Sequence, residues 1–242
     1  MGNIKLDVMA MAAHPDDIEL GCSGTLMVQA ELGWKIGIID LTRGELGSRG
    51  TAETRKAEAA AANEIMDLDV RENIGLPDGF FENNKASQLE LVKKIRKYRP
   101  EIVLANAPSD RHPDHGRASK LILDSCFLAG LRRIETELDG EKQTEWRPKQ
   151  VFHYIQDTFI EPDFIVDISA VIERKKETIR CFKTQFMADQ NEKIQTYIST
   201  PAFFEGLMSR SQLMGKRIGV AHGEGFIATK QLGVKSLGDL MI

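Results

Sequence analysis

Residues 6–24, LDVMAMAAHPDDIELGCSG, decide the reading of the fold. The first seven are apolar apart from Asp7 and hold no turn residue, the pattern of a short buried parallel strand. Leu20, Leu26, Met27 and Ala30 then recur at helical spacing, so a strand ends and a helix begins across AHPDD. In an open α/β sheet this junction lies at the carboxyl edge, where ligands bind. Taken alone, Asp16 and Asp17 would serve equally as a helix cap and a first-turn acid, favoured there by free amides and the helix dipole.

A second cluster, RHPDH at 111–115, stands in the same kind of setting. It follows a buried-strand pattern at 101–107 (EIVLANA) and precedes a helical one at 118–131. Two His/Asp clusters, each at the end of a strand, point to one site assembled from two loops. Imidazole and carboxylate are good ligands for a divalent metal, and a three-ligand shell leaves positions for water and substrate.

Working outward, residues 35–41 (KIGIIDL) read as a second strand, 42–50 as a glycine-rich loop, and 52–68, rich in Ala and Glu, as a helix. A weak third strand spans 70–74, and a helix at 89–98 stops before Pro100. This alternation implies right-handed crossovers and a Rossmann-like, mostly parallel sheet with helices on both faces. Strand order 3-2-1-4-5 would make the first and fourth strands neighbours and bring both clusters to the switch-point crevice. Residues 139–149 form a polar surface connector, 151–155 and 164–168 further strands, and 170–186 one amphipathic helix. Residues 189–201 are polar and read as mobile, 203–214 as helical, and 215–226 end in HGEGF. One domain is expected over 1–242, its core at about 1–186, with 187–242 packing on it and helping to cover the site.

Composition narrows the function. A net charge of -4 with interspersed signs and no basic block argues against a nucleic-acid surface. No run approaches the ~20 apolar residues of a membrane span, and the N-terminus lacks a signal-peptide pattern, so a cytoplasmic protein is expected. Cys22, Cys126 and Cys181, odd in number, widely spaced and without a CxxC pair, argue against a disulfide framework and a thiolate metal site.

AHPDD and HPDH resemble the two motifs of the LmbE-like or PIG-L zinc-dependent deacetylases, [AP]-H-[PA]-D-D and H-x-x-[DE]-H. The resemblance continues through LTRGELGSRGT (41–51), GLPDGF (75–80), FLAGL (127–131) and PDFIVDIS (162–169). It is similar above all to the bacillithiol-biosynthesis branch, and implies removal of an N-acetyl group from N-acetylglucosaminyl-malate. Deacetylation of another N-acetylglucosaminide, or amidase action on thiol S-conjugates, is the related alternative. The resemblance implies one Zn²⁺ held by His14, Asp17 and His115, with Fe²⁺ or Co²⁺ also accepted by such ligands, and a homo-oligomer.

On the same footing Asp16 is the general base, and His112, protonated and oriented by Asp114, is the oxyanion stabiliser. Arg55 and Arg111 are the implied acid- or sugar-contacting arginines, with Arg43 and Arg49 as substitutes, and Tyr197 a tyrosine near the active site. His222 has no partner spacing and is read as structural. A nucleotide-binding domain is the alternative of another class, since GCSG loosely imitates a dinucleotide loop. Against it, neither G-x-G-x-x-G nor G-x-x-x-x-G-K-[ST] is present, and two carboxylates stand where a pyrophosphate would be repelled. An inert carbohydrate-binding module would not need the full set of candidate ligand, base and oxyanion residues.

Overall fold

The computed structural model describes residues 4–187 and 193–241. Strand β1 (Val8–Ala12) is buried at all five positions, as a central strand covered on both faces must be. Side chains alternate across a strand, so Met9 and Met11 join one apolar cluster, and Val8, Ala10 and Ala12 the other. The chain continues through α1 (Asp17–Gly21), α2 (Ser23–Glu31), β2 (Ile36–Thr42), α3 (Ala52–Met66), β3 (Val70–Leu76), α4 (Lys85–Tyr98), β4 (Ile102–Ala105) and α5 (Pro113–Ala129). Leu91, Val92 and Ile95 of α4 and Ala118, Leu121 and Ile122 of α5 fill the first cluster; Leu26 and Met27 of α2 fill the second.

The remainder comprises a two-residue-strand hairpin, β5 (Glu137–Leu138) and β6 (Glu141–Lys142), then β7 (Gln150–Tyr154), β8 (Phe164–Asp167), α6 (Ile172–Cys181), α7 (Lys183–Phe186), α8 (Pro201–Ile218) and β9 (Gly223–Ala228). The seven-stranded sheet runs β3-β2-β1-β4-β7-β9-β8. Its first five members are parallel, in the expected order 3-2-1-4 followed by the strand at 150–154. β9 is antiparallel to both neighbours. The fold is therefore an α/β fold with a mixed, mostly parallel sheet. Among the described residues no helix is long and apolar enough to cross a membrane.

Three expectations are corrected. The second cluster does not lie in a loop: α5 starts at Pro113, whose fixed φ suits the first helical position, so His115 belongs to the helix. The helix expected over 170–186 is a 3-10 turn (Ser169–Val171), α6 and α7, broken at Phe182, whose ring is fully buried. Burial of that ring overrides a continuous helical pattern. Finally, β9 sits inside the sheet, so the chain after residue 187 supplies a strand between β7 and β8. Its sequence GEGFIA has little strand propensity, but its glycines fit close neighbours. A Cβ at Gly225 would stand 3.0 Å from Pro162, and one at Gly223 2.6 Å from Ile165. The buried Glu224 carboxylate anchors it, accepting from the Gly24 and Thr25 amides at 3.0 and 2.7 Å and from Lys175 Nζ at 2.6 Å. Residues 189–192, the start of the polar stretch read as mobile, lie outside the described residues.

Candidate active site

β1 and β4 are neighbours, so the residues after their carboxyl ends meet. After β1 the chain turns sharply. Asp16 has φ 123°, a conformation that L residues rarely adopt and that costs of order 1–3 kcal/mol. α1 begins at the next residue without a side-chain cap, so the turn places Asp16 and Asp17 side by side yet aims them at different partners. After β4, the His112 side chain caps α5 by accepting the Asp114 amide at 3.2 Å through Nδ1. His14, His112 and His115 then stand with ring centroids 4.8 to 5.7 Å apart.

Asp17 lies between two of these imidazoles. Its Oδ1 is 3.0 Å from His115 Nε2, and its Oδ2 is 3.8 Å from His14 Nδ1. The other nitrogen of each ring is held from outside: His115 Nδ1 by Asp110 at 2.6 Å, and His14 Nε2 by Asp78 at 2.9 Å and Asp114 at 3.3 Å. Such carboxylate–imidazole pairs fix ring orientation and raise ligand basicity. Asp17 is fixed in turn by Asn106 Nδ2, Gln156 Nε2 and the His14 amide, each at 3.0 Å.

Electrostatics follow from this packing. Burial alone would depress His14, but Asp114 and Asp78 outweigh it and push it up to about 10. Burial likewise opposes the field of Asp17 and the Asp110 hydrogen bond at His115, which rises to about 9. For Asp17, burial works upward and the facing imidazoles win, holding the carboxyl well below its usual range. Asp16 goes the other way, to about 7: its burial dominates, against Arg55 and with the adjoining Asp17 charge.

The donor set suits a divalent ion, since two imidazoles and a carboxylate converge while their outer atoms are already satisfied. Among the described residues, the groups of three whose ligand atoms all lie within 4.8 Å of one another are His14–His112–His115 and His14–Asp78–Asp114. Asp17 instead bridges, touching both His14 and His115.

Two expected roles meet different surroundings. The Asp114 carboxylate makes no hydrogen bond to His112, although its charge acts to raise that ring; it faces His14 Nε2, the Gly79 amide at 2.9 Å and Arg117. The first turn of α5 allows only its backbone amide to reach the His112 ring. Burial, then the His14 and His115 charges, depress His112, so the neutral imidazole is favoured over the expected imidazolium. With Nδ1 accepting, that neutral ring carries its proton on Nε2. Arg55, expected to contact substrate, is buried and committed: Nη2 donates to Pro15 O at 2.6 Å and to Asp16 Oδ2 at 2.7 Å, and Nη1 to Gly44 O at 3.3 Å.

The cluster opens into a cavity of about 840 Å³ walled by Arg55, Arg111, Tyr197 and the α8 face. Arg111 Nε donates to Asp157 at 3.0 Å, and its guanidinium lies over the Tyr197 ring, whose hydroxyl reaches Asp157 at 3.2 Å. Arg49 donates to the Thr184 carbonyl at 2.8 Å, and His222 Nδ1 lies 3.2 Å from the Ser211 hydroxyl. Sequence reasoning did not single out Asp78, Asn106, Asp110 or Gln156. Asn106 stands near the end of the strand pattern at 101–107 and Gln156 directly follows that at 151–155, so polar residues at parallel strand ends are the signal that would have found both.

The sequence pattern of the PIG-L family, described as GlcNAc-PI de-N-acetylase, matches residues 9–126. The chain is 29% identical over 213 residues to the diacetylchitobiose deacetylase of Thermococcus kodakarensis, covering 84% of this chain and 78% of that protein. The structure of the conserved protein TT1542 from Thermus thermophilus superposes with a TM-score of 0.83 at 37% identity, covering 95% of this chain and 98% of that one. The N,N'-diacetylchitobiose deacetylase of Pyrococcus horikoshii gives 0.79 at 25% identity, over 97% and 88%. With its two His/Asp clusters joined on adjacent strands inside the matched region, the chain belongs to the PIG-L family of N-deacetylases, hydrolases of linear amides.

Proposed function

We propose that this protein is a zinc-dependent deacetylase of an N-acetylglucosamine conjugate, with His14, Asp17 and His115 holding the metal. The observation that carries the reading is Asp17 bridging two externally anchored imidazoles, with a second carboxylate, Asp16, beside it at about 7. A divalent ion, when bound, supplies Lewis acidity and lowers the pKa of a coordinated water towards about 7. Asp16 takes a proton from the attacking water. Its Oδ2 is held by Arg55, which leaves Oδ1 without a hydrogen bond among the described residues. The same carboxyl then returns the proton to the departing amine. His112 Nε2–H donates to the oxyanion that develops on the substrate carbonyl, a contact that needs no charge on the ring. Asp114 acts by orienting His14 and by ordering the first turn of α5.

The finer substrate reading is N-acetylglucosaminyl-malate, supported by arginines at the cavity. Likeness to two diacetylchitobiose deacetylases favours N,N'-diacetylchitobiose as the second. A homo-oligomer accompanies either reading. Metal-loaded protein, assayed for acetate release from both compounds and from free N-acetylglucosamine, should hydrolyse at least one, and chelation should abolish it. No acetate from any N-acetylglucosaminide would sink the proposal.

A further inference from the structure

α8 turns Phe203, Gly206, Leu207, Arg210 and Leu213 towards the cavity. Their spacing is that of one helical face. Four of the five are apolar or small, and Arg210 is the only cation among them. It is partly buried, and its guanidinium makes no hydrogen bond or ion pair with any described residue. The other cavity arginines are engaged: Arg55 with Asp16 and two carbonyls, Arg49 with the Thr184 carbonyl, Arg111 with Asp157. Asp157, whose charge acts on Arg210, already accepts from Arg111 and from Tyr197.

A guanidinium carries five N–H donors, and partial removal from water leaves them costly unless an acceptor arrives. The neighbouring surface suits an incoming ligand. Leu207 is buried and Phe203 half-buried on the same face, and apolar neighbours that keep water away strengthen an ionic contact. One turn earlier Gly206 opens the face, since a Cβ there would meet nothing within 4 Å.

We propose that Arg210 is a specificity-determining residue that reads a carboxylate on the group attached to the sugar, through two parallel N–H···O bonds. The inference rests on the deacetylase reading and names what its substrate must carry. Arg111, neutralised by Asp157 and stacked on Tyr197, forms the adjoining wall, and Arg55 serves the catalytic carboxylate instead of the substrate.

The test compares zinc-loaded wild type, Arg210→Ala and Arg210→Lys on N-acetylglucosaminyl-malate and on its dimethyl ester, which keeps the shape and removes the charge. Arg210→Ala should lower kcat/KM for the acid about 10- to 100-fold, mostly through KM, and change the ester less than about threefold. Arg210→Lys should recover part of the loss, because it keeps the charge without the planar fork. Equal losses on both compounds would make Arg210 a structural or hydroxyl-binding residue and overturn the proposal, as would no loss on either. If wild type hydrolyses N,N'-diacetylchitobiose and the ester but not the acid, Arg210 has no such role while the deacetylase reading stands. If wild type hydrolyses none of the three, both fall.

Discussion

The floor and the wall of the cavity are built on opposite principles. On the floor His14, Asp17 and His115 are buried, and each is held by named partners: Asp78, Asp114, Asn106, Gln156 and Asp110. On the wall Leu46, Phe80, Tyr197 and Leu213 are at least half exposed, and Arg210 makes no hydrogen bond or ion pair with a described residue. A pre-organised floor spends its reorganisation cost during folding, which is what charge stabilisation in a reaction requires. A loosely engaged wall leaves its free energy to be gained from the ligand. Chemistry and selectivity should therefore respond differently to substitution.

The largest effect is expected on the floor. His14→Ala or His115→Ala should remove the metal and lower turnover at least about a thousandfold, since metal assistance is worth several kcal/mol of transition-state stabilisation. Full metal occupancy by elemental analysis in both variants would break the ligand assignment. Asp16→Asn comes next, with metal content near wild type and turnover down at least about a hundredfold on every substrate alike. In the wild type, activity should fall as pH drops and Asp16, at about 7, takes up a proton. An acidic limb that persists unchanged in the variant would move the base elsewhere. Uniform loss here, set against substrate-dependent loss in Arg210→Ala, is the sharpest form of the contrast.

The smallest effect concerns the floor without metal. His14 and His115 are raised to about 10 and about 9, above an ordinary 6.5. Their protonated forms thus contribute stability that is fully present below about pH 6.5 and is lost as pH climbs through 9 to 10. The melting temperature of chelated protein should fall by roughly 3 °C or more across that range, and the zinc-loaded protein should stay flatter because the ion replaces the protons. A chelated protein whose stability is flat from pH 6.5 to 10 would show that the acids do not charge these imidazoles.

What the sequence determined by itself was local or periodic. Strand–helix alternation implied a mostly parallel sheet, and the order 3-2-1-4 that was supposed for it sets the two motifs after the ends of adjacent strands. Asp16 and Asp17 at one strand end, and His112 and His115 at another, were legible because the chemistry is written in five consecutive residues. The tertiary structure alone decided the partners. Asp78 and Asp110 became the outer supports of His14 and His115 through loops whose sequence carries no motif for that task. Arg55 came to hold Asp16 because the buried face of α3 gives its guanidinium the Asp16 carboxylate and two backbone carbonyls as partners. β9 entered the sheet against its propensity, since Glu224 and Lys175 meet across residues distant in the chain. Hydrophobic period and motif spacing act within a few residues, whereas hydrogen-bond satisfaction of a buried charge is settled only by whatever the completed fold brings within about 3 Å.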